Sequence, residues 1–442
     1  MPRHSHHLLK TCLIGCGVCT LLAGQPVKAT WSILMADSRT GEIAIGSCTC
    51  LTGLDLRENT PVMLVGKGGA TAQGLIDGGA LYRMQIFDAM FFYDMAPQDI
   101  IDLISGGNGF QARQFGIVNT RDQAATFTGS QTGDWAGGTT GHTGDIVYAV
   151  QGNVLTGEPV VTAAVDAIIN TEGDIPAKLM AAMQAARDMG GDGRCSCDVI
   201  HPDSCGSPPP DFSKSAHIGY MLVSRPGDID GDCDNNGGCA RGDYLMNLNV
   251  ANQQSDDPDP VDQLTVLYND WRSALQGRPD GITSTVEISP QYLMADGTST
   301  ATMTITFLDI EGEPITTDIQ SVTVTHAETS AGAGVIGTAT DMGGGIFTLT
   351  ITAQETTGTD KYRIIADDSV RPAQITPDPM LIIRLPGDVD GDGQINQADL
   401  GRLLASYLLP ADDPFYDPAA DMNGDNNVDQ TDLGILLAHF EQ

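Results

Sequence analysis

An internal repeat with a 33-residue period lies near the C-terminal end of the chain. The first copy, DVDGDGQINQADL, covers residues 388–400, and the second, DMNGDNNVDQTDL, covers residues 421–433. Ca²⁺ requires about six to eight oxygen ligands, and a loop of about twelve residues presents them at positions 1, 3, 5, 7, 9 and 12. The repeat therefore predicts two calcium ions. Their ligands would be Asp388, Asp390, Asp392, Gln394, Asn396 and Asp399 in the first loop, and Asp421, Asn423, Asp425, Asn427, Asp429 and Asp432 in the second, with Gln394 and Asn427 binding through backbone carbonyls.

An apolar stripe with helical spacing follows each loop. The two stripes are Leu400, Leu403, Leu404 and Tyr407, and then Leu433, Leu436, Leu437 and Phe440. Aspartate at position 12 followed by leucine resembles a type I dockerin more than a calmodulin-type EF-hand. The resemblance implies a small all-α pair of EF-hand loops over residues 386–442. It also implies a partner, either a cohesin-like module or a cell-surface scaffold.

The N-terminal residues 1–29 have the pattern of a cleavable signal peptide. Arg3 and Lys10 give a positive start, residues 11–24 are apolar, and Val27-Lys28-Ala29 fits the small-x-small rule for cleavage. The apolar stretch is too short to cross a bilayer as a stable helix, and no second one follows. We therefore expect a secreted or cell-surface protein without a membrane span.

The net charge limits which partners the protein can bind, and the cysteines indicate which kinds of site it can contain. The formal net charge of −35 repels phosphate backbones and anionic lipids, so nucleic-acid and peripheral membrane binding are disfavoured. Cysteines short distances apart suggest local disulfides in an exported protein, with Cys233 and Cys239 as the easiest pair. The segment 195–205, CSCDVIHPDSC, favours disulfides over zinc for the same reason. Seven cysteines remain after residues 1–29 are removed, so at least one thiol stays unpaired or pairs with another molecule.

Threonine alternates with apolar residues between residues 283 and 384. Ala301, Met303, Ile305 and Phe307 interleave with threonines, and a period of two predicts half-buried antiparallel strands. About six such strands suggest a β-sandwich over residues 276–385. The opening segment, STVEISPQYLMADGTSTATMTITFLDIEGEP, resembles the invasin-type immunoglobulin-like domains of bacterial surface proteins, which implies a spacer.

Residues 30–275 mix strand-like runs with amphipathic helices and predict an α+β or α/β domain. Common motifs such as GxSxG, HExxH and the Walker loop are missing. The loop DIDGDCDNNGGC has calcium-type spacing at Asp228, Asp230, Asp232 and Asp234, but Cys239 stands at position 12. It is either a site for one further Ca²⁺, clipped by Cys233 and Cys239, or a plain acidic loop.

An ordered series of segments in this domain resembles the DUF1028 family, proposed members of the N-terminal-nucleophile (Ntn) hydrolases. The segments include TWSILMAD (30–37), TPVMLVGKGGATAQ (60–73), QGNVL (151–155) and AAMQAARDMGGDGR (181–194). The resemblance covers roughly residues 30–275. It implies a four-layer αββα sandwich with Thr30 as the nucleophile at the start of the first strand.

Cleavage after Ala29 would leave Thr30 with a free α-amine. Its hydroxyl could then attack a carbonyl while the amine, with a reference pKa of about 8, takes the proton. Asn153, with the amide of Gly152, is the candidate oxyanion donor, and Gln151 and Thr71 are candidate pocket residues. Ordinary turn and strand-end hydrogen bonding is the alternative role for these three side chains.

Two functions follow from these observations. The preferred one is an exported amidohydrolase that cuts C–N bonds in an unknown small-molecule or peptide substrate and is attached through the dockerin-like repeat. The alternative is a non-catalytic surface or scaffold-associated protein whose first domain binds a ligand. Polysaccharide processing is suggested only by the usual context of dockerins.

Overall fold

The computed structural model describes residues 29–440, so the predicted signal peptide lies outside the described residues except for Ala29. The chain forms an α+β part, a β-rich part and a small helical part, in that order. This confirms the predicted multidomain order at that level. Within residues 29–440, no helix combines the length and apolar character needed to cross a membrane.

Two antiparallel sheets build the α+β part. The six-stranded sheet has the order β10-β9-β2-β1-β8-β7, and the four-stranded sheet has the order β3-β4-β5-β6. The strands are β1 (Thr30–Asp37), β2 (Ile43–Thr49), β3 (Pro61–Leu64), β4 (Gly68–Gly74), β5 (Arg113–Asn119), β6 (Gln123–Thr128), β7 (Ala136–Thr143), β8 (Ile146–Asn153), β9 (Ile218–Ser224) and β10 (Met246–Val250).

Helices cover both sheets on their outer faces. They are α1 (Leu81–Tyr93), α2 (Pro97–Ile104), α3 (Pro159–Asn170), α4 (Ile175–Asp188), the short α5 (Gly193–Ser196) and α6 (Pro260–Leu275), with a 3-10 turn at Phe110–Ala112. The cores of α3, α4 and α6 pack on the six-stranded sheet, and those of α1 and α2 pack on the four-stranded sheet.

Strand β1 is buried along its whole length because both of its faces are covered. Trp31, Ile33 and Met35 pack against the helices, while Leu34 and Ala36 belong to the core between the two sheets. Successive side chains of a strand point to opposite faces. Thr30 and Ser32 therefore share the face that is directed at the four-stranded sheet.

Helix α4 shows why the sequence pattern predicts its bounds. The Asp174 side chain accepts a hydrogen bond from the amide of Ala177 and caps the helix, with proline in the first turn. Leu179, Met183 and Ala186 are buried, as the periodicity predicts. The helix ends just before Gly190, which has a φ of 100° that favours glycine.

The β-rich part is built of two sheets that enclose one core. The strands are β11 (Thr285–Ser289), β12 (Tyr292–Met294), β13 (Thr300–Thr306), β14 (Ser321–His326), β15 (Gly334–Ile336), β16 (Thr340–Gly343), β17 (Ile346–Ala353), β18 (Gly358–Asp367), β19 (Pro372–Gln374) and β20 (Met380–Arg384). The buried side of β13 carries Ala301, Met303 and Ile305, which confirms the predicted alternation. The count exceeds the predicted six because four strands of three or four residues are too short to show a period.

Two helices, α7 (Gln397–Ser406) and α8 (Gln430–Ala438), follow the two calcium-type loops. Val389, Ile395, Leu403, Val428 and Leu436 are among the residues of their small shared core. The predicted stripes are only partly buried, since Leu404 is 54% exposed and its counterpart Leu437 is 55% exposed. The repeat thus places equivalent leucines on the surface of both helices.

Charged side chains join the parts to one another. Arg225 binds Glu42 within the first part and Asp280 at the start of the second. Arg384 lies with its guanidinium carbon 4.5 Å from the ring centre of Tyr292 and donates to the Val389 carbonyl at 2.7 Å. These contacts hold the second part against its two neighbours.

Candidate functional site

Thr30 is the first residue of β1 and lies opposite Asn153 of β8, while Ser32 lies opposite Gln151. Val147 and Ala149 of β8 belong to the core between the sheets, so Gln151 and Asn153 share that face by alternation. The sheet register therefore brings Thr30 next to Asn153 and near Gln151. Thr71 reaches the same region from β4 of the other sheet.

Polar side chains replace the apolar core at this end of the two sheets. We call this set the inter-sheet polar cluster; its members, all buried, are Thr30, Ser32, Ser47, Thr71, Gln73, Gln114 and Gln151. Buried polar groups are costly unless they are hydrogen-bonded. The Gln73 amide donates to the Thr30 carbonyl at 2.9 Å and to Gln114 Oε1 at 2.7 Å. The Gln114 amide donates to the Gly152 carbonyl at 2.9 Å, so the cluster ties the two sheets together.

Gln151 and Thr71, the two predicted pocket residues, bind each other. The Gln151 Nε2 donates to Thr71 Oγ1 at 2.8 Å across the two sheets. Gln151 Oε1 is buried and has no hydrogen-bond partner within residues 29–440. Gly116 of β5 faces this amide, and a Cβ built there would lie 2.3 Å from it. Glycine at position 116 thus leaves the space that the glutamine side chain occupies.

Three donors converge on the carbonyl oxygen of Ala29, the residue before Thr30. The Thr30 hydroxyl donates to it at 2.7 Å, Arg194 Nη2 donates at 3.2 Å, and the Thr49 hydroxyl makes a short hydrogen bond. Ala29 is fully buried and Thr30 is 3% exposed. The oxygen is therefore held from several directions inside the protein.

Arg194 is positioned by Asp192, a fully buried aspartate. The Arg194 Nη2 lies 2.8 Å from Asp192 Oδ2, and its Nε donates to Asp192 Oδ1 at 3.1 Å. The amide of Cys50 also donates to Asp192, at 2.7 Å. Sequence reasoning did not single out Asp192, Arg194 or Thr49. The one signal available was the segment GDGR directly after helix α4, within the DUF1028-like series.

The Asn153 side chain, predicted as the oxyanion donor, donates to the Thr132 carbonyl at 3.1 Å. Gly152 lies inside β8, paired with β1 on one side and β7 on the other. Asn153 is therefore close to Thr30 along the sheet. Its role, like those of Thr30, Gln151 and Thr71, stays a prediction.

Three disulfides form within the described residues: Cys50–Cys195, Cys197–Cys205 and Cys233–Cys239. The expected Cys233–Cys239 pair is confirmed, and residues 195–205 form disulfides as the sequence favoured. The expectation of local links is wrong for Cys50–Cys195, whose cysteines are 145 residues apart and meet only in the folded chain. Among the described cysteines, Cys48 is the one left without a disulfide, an assignment that the sequence could not make; it is buried, and burial raises its pKa.

The first calcium-type loop brings its acidic residues together. The carboxylate oxygens of Asp388, Asp390 and Asp392 lie within 4.8 Å of one another. Gly393 at position 6 of the first loop has a φ of 82°, and Asn426 at position 6 of the second has a φ of 65°, so both loops make the sharp turn typical of a calcium loop at that position. An all-oxygen donor set of this kind suits a hard cation such as Ca²⁺.

The aspartates at position 12, Asp399 and Asp432, are fully buried at the first turns of α7 and α8. Asp399 accepts from the amide of Val389 at 2.7 Å and from the amide of Asn396 at 2.8 Å. Asp432 makes the equivalent bonds to Met422 and Asp429. Each carboxylate thus closes its loop and caps its helix, and the two copies match bond for bond.

Residues 228–234, for which the sequence allows either a further Ca²⁺ site or a plain acidic loop, have most of their carboxylates bound to protein groups. Asp228 pairs with Arg371 and accepts from two backbone amides, and Asp234 pairs with Arg241 at 2.7 Å. Asp230 accepts from the backbone amide of Val65, at 2.9 Å. Asp228, Asp230 and Asp234 thus have different partners, which favours the acidic-loop alternative, and Asp228 contacts the second part of the chain through Arg371.

Family comparisons divide the chain in the same order as the structure. Residues 30–198 match the family of unknown function DUF1028, residues 280–374 match invasin domain 3, and residues 386–441 match the dockerin type I domain. No curated protein matches the chain.

Among solved structures, a DUF1028 protein from Silicibacter pomeroyi is 21% identical, with 55% of this chain and 85% of that chain covered and a TM-score of 0.39. The adhesin InvE of Yersinia pseudotuberculosis is 28% identical, with 23% of this chain and 27% of that chain covered and a TM-score of 0.18. A cohesin–X–dockerin complex from Acetivibrio cellulolyticus is 18% identical, with 28% and 81% covered and a TM-score of 0.13. The three family matches show that the chain contains a DUF1028 domain, an invasin domain 3 segment and a C-terminal type I dockerin domain.

Proposed function

We propose that this protein is an exported hydrolase of C–N bonds in which Thr30, freed at its amine by cleavage after Ala29, is the nucleophile. One observation carries the proposal. The Thr30 hydroxyl lies at the start of β1 beside the bond that cleavage would break, and Thr49 and Arg194 converge with it on the carbonyl oxygen of Ala29, 2.7 Å from Thr30 Oγ1. After cleavage, these donors would border the space beside the nucleophile, and acyl transfer needs donors there to stabilise the developing oxyanion.

The fold supports the same proposal. Two facing sheets, each covered by helices on its outer side, correspond to the four-layer αββα sandwich expected of an Ntn hydrolase. In such an arrangement a nucleophile at the start of a central strand lies between the sheets. Thr30 occupies that position in β1, the strand between β2 and β8.

The mechanism uses one residue as nucleophile and base. The α-amine of Thr30 takes the hydroxyl proton while Oγ1 bonds to the substrate carbonyl carbon. Collapse of the tetrahedral intermediate breaks the C–N bond, and the proton passes to the leaving amine. Water then hydrolyses the ester on Thr30. Because Ala29 is fully buried, its removal would vacate a space next to the nucleophile in which a small-molecule or peptide acyl group could bind.

The rest of the chain would place this domain outside the cell. The dockerin type I domain suggests attachment to a cohesin-like module through two Ca²⁺-bound loops, and the disulfides fit an oxidising compartment. The invasin-type segment would act as a spacer. A non-catalytic binding protein is the second candidate, and the burial of Thr30 together with its satisfied hydrogen bonds favours it. Polysaccharide processing rests on the dockerin alone.

Processing and activity together test the proposal. Edman sequencing of the secreted protein should begin at Thr30. A panel of amide substrates should then be cleaved by the wild type and not by Thr30→Ala, with Thr30→Ser retaining activity because it keeps the hydroxyl. Any residue left ahead of Thr30, or equal turnover by Thr30→Ala, would leave the binding protein as the better conclusion.

A further inference from the structure

We propose that Thr49 and Arg194 form the oxyanion hole of this site, an inference that rests on the proposed function. The carbonyl of Ala29 is the observation that carries it. That oxygen lies beside the Thr30 hydroxyl and accepts hydrogen bonds from the Thr49 hydroxyl and from Arg194 Nη2. Thr49 and Arg194 therefore direct their donors into the space beside Thr30 that the cleaved residue leaves, where the carbonyl oxygen of a substrate attacked by Thr30 would lie.

Removal of Ala29 leaves both donors without this acceptor. Thr49 and Ala29 are fully buried in contact with each other, so the Thr49 hydroxyl is then directed into the vacated space. A substrate oxygen that enters the vacated space within hydrogen-bond reach of the same two donors restores both bonds. As that oxygen gains negative charge in the tetrahedral intermediate, the bond from the Arg194 guanidinium strengthens most, because it is charge-assisted.

The surrounding residues hold the two donors in place. Thr49 directly precedes Cys50, and Arg194 directly precedes Cys195, and these two cysteines form a disulfide. Asp192 adds a second link, since it accepts from the Cys50 amide and pairs with Arg194. The disulfide and Asp192 thus position the donors, and donors fixed in advance give the largest stabilisation of a developing oxyanion.

In the first chemical step the Thr30 Oγ1–C bond forms and the hydroxyl proton moves to the α-amine. The carbonyl π electrons move to oxygen, which Thr49 and Arg194 then stabilise. The step needs no oxidant, reductant or co-reactant. The same position would serve the second step, in which water attacks the ester.

Binding of phenylboronic acid tests the inference without a known substrate. Boron accepts the Thr30 oxygen and becomes a tetrahedral anion whose hydroxyl would occupy the oxyanion position. Isothermal titration of the full-length mature chain should show Thr30-dependent binding. We expect Thr49→Val and Arg194→Met each to weaken it by at least about tenfold, on the scale of losing one oxyanion donor. Thr49→Ser keeps the hydroxyl and should bind within about twofold of the wild type.

Controls separate the inference from the proposed function. Arg39→Met removes an equal charge from an exposed pair with Asp145 and should leave binding unchanged. If the wild type binds no better than Thr30→Ala, the proposed nucleophile fails. If binding depends on Thr30 but Thr49→Val and Arg194→Met bind as the wild type does, the oxyanion hole is wrong and the nucleophile stands. Thr49→Val is nearly isosteric and decides the question even where Arg194→Met does not fold.

Discussion

The ion pairs of Arg225 allow a quantitative test of how the first two parts of the chain are held together. Arg225 is buried directly after β9; its Nε lies 2.7 Å from Glu42, and its Nη1 makes a short bond to Asp280. Arg225→Met would leave two buried carboxylates without their cation. Breaking a buried pair by removing one partner costs about 3–5 kcal/mol. We expect a loss of this size in the free energy of unfolding at pH 7.

The pKa shifts predict how the loss depends on pH. Burial raises the pKa of Glu42, which lowers wild-type stability as the pH rises through that pKa. Burial also opposes ionisation of Asp280, but the attraction to Arg225 is stronger, and the pKa of Asp280 is lowered. The stability that ionised Asp280 contributes is therefore lost as the pH falls through that pKa. The two effects oppose each other in the wild type. In Arg225→Met both buried carboxyls favour the protonated form. The cost of the substitution should therefore shrink as the pH is lowered and the carboxyls become protonated. The decrease should be about 1.4 kcal/mol for each unit by which the substitution raises the pKa of a carboxyl.

Tryptophan fluorescence during urea unfolding is a suitable assay, because Trp31, Trp135 and Trp271 all belong to or pack on the core of the α+β part. The triple variant with Glu42→Gln and Asp280→Asn added should recover most of the lost stability. An exposed-pair control, Arg39→Met, should stay within about 0.5 kcal/mol. A cost below about 1 kcal/mol at pH 7, or an equal cost at pH 7 and pH 5, would refute the reasoning.

Three further predictions concern the dockerin domain and the disulfides. Chelation of Ca²⁺ in the full chain should make residues 386–440 sensitive to proteolysis while the first part stays resistant. The reason is that the clustered carboxylates repel one another without the ion. Equal resistance of residues 386–440 with and without chelator would contradict this prediction. Arg384→Met should destabilise the dockerin domain by about 1.5–3 kcal/mol in calorimetry, since a charged hydrogen bond is lost, whereas Arg402→Met at an exposed pair should have little effect. Replacing both cysteines of Cys50–Cys195 by alanine should lower the free energy of unfolding in urea by up to about 5 kcal/mol, because the long loop gains entropy in the unfolded chain. A smaller loss than that from removing the eight-residue Cys197–Cys205 link would contradict this prediction.

The dockerin loops show what can be predicted from local sequence. Their ligands lie within about twelve residues, so the spacing alone selects the residues for one ion. The buried aspartates Asp399 and Asp432 add a cap to each following helix within the same short segment. The same reasoning explains the confirmed alternation of β13, where the period of two needs no knowledge of distant strands.

The threonine site shows where local reasoning stops. The sequence singled out Thr30, Asn153, Gln151 and Thr71, but not Thr49 or Arg194. Arg194 is 165 residues from the carbonyl it binds. Nothing in the segment around it indicates which strand end it will meet. Similarly, the spacing around Asp228 does not indicate that Arg371, 143 residues away, pairs with that carboxylate.

The sequence by itself determined the order of the three parts, the two calcium-type loops and the position of Thr30 at the start of the first strand. Each of these depends on residues that are close along the chain. The tertiary structure decided which side chains face Thr30, because that depends on the register of β1 with β8, and a slip of one residue would turn every side chain of a strand to the opposite face. It also decided the Cys50–Cys195 link, because only the folded sheet brings the end of β2 to the short helix that carries Arg194.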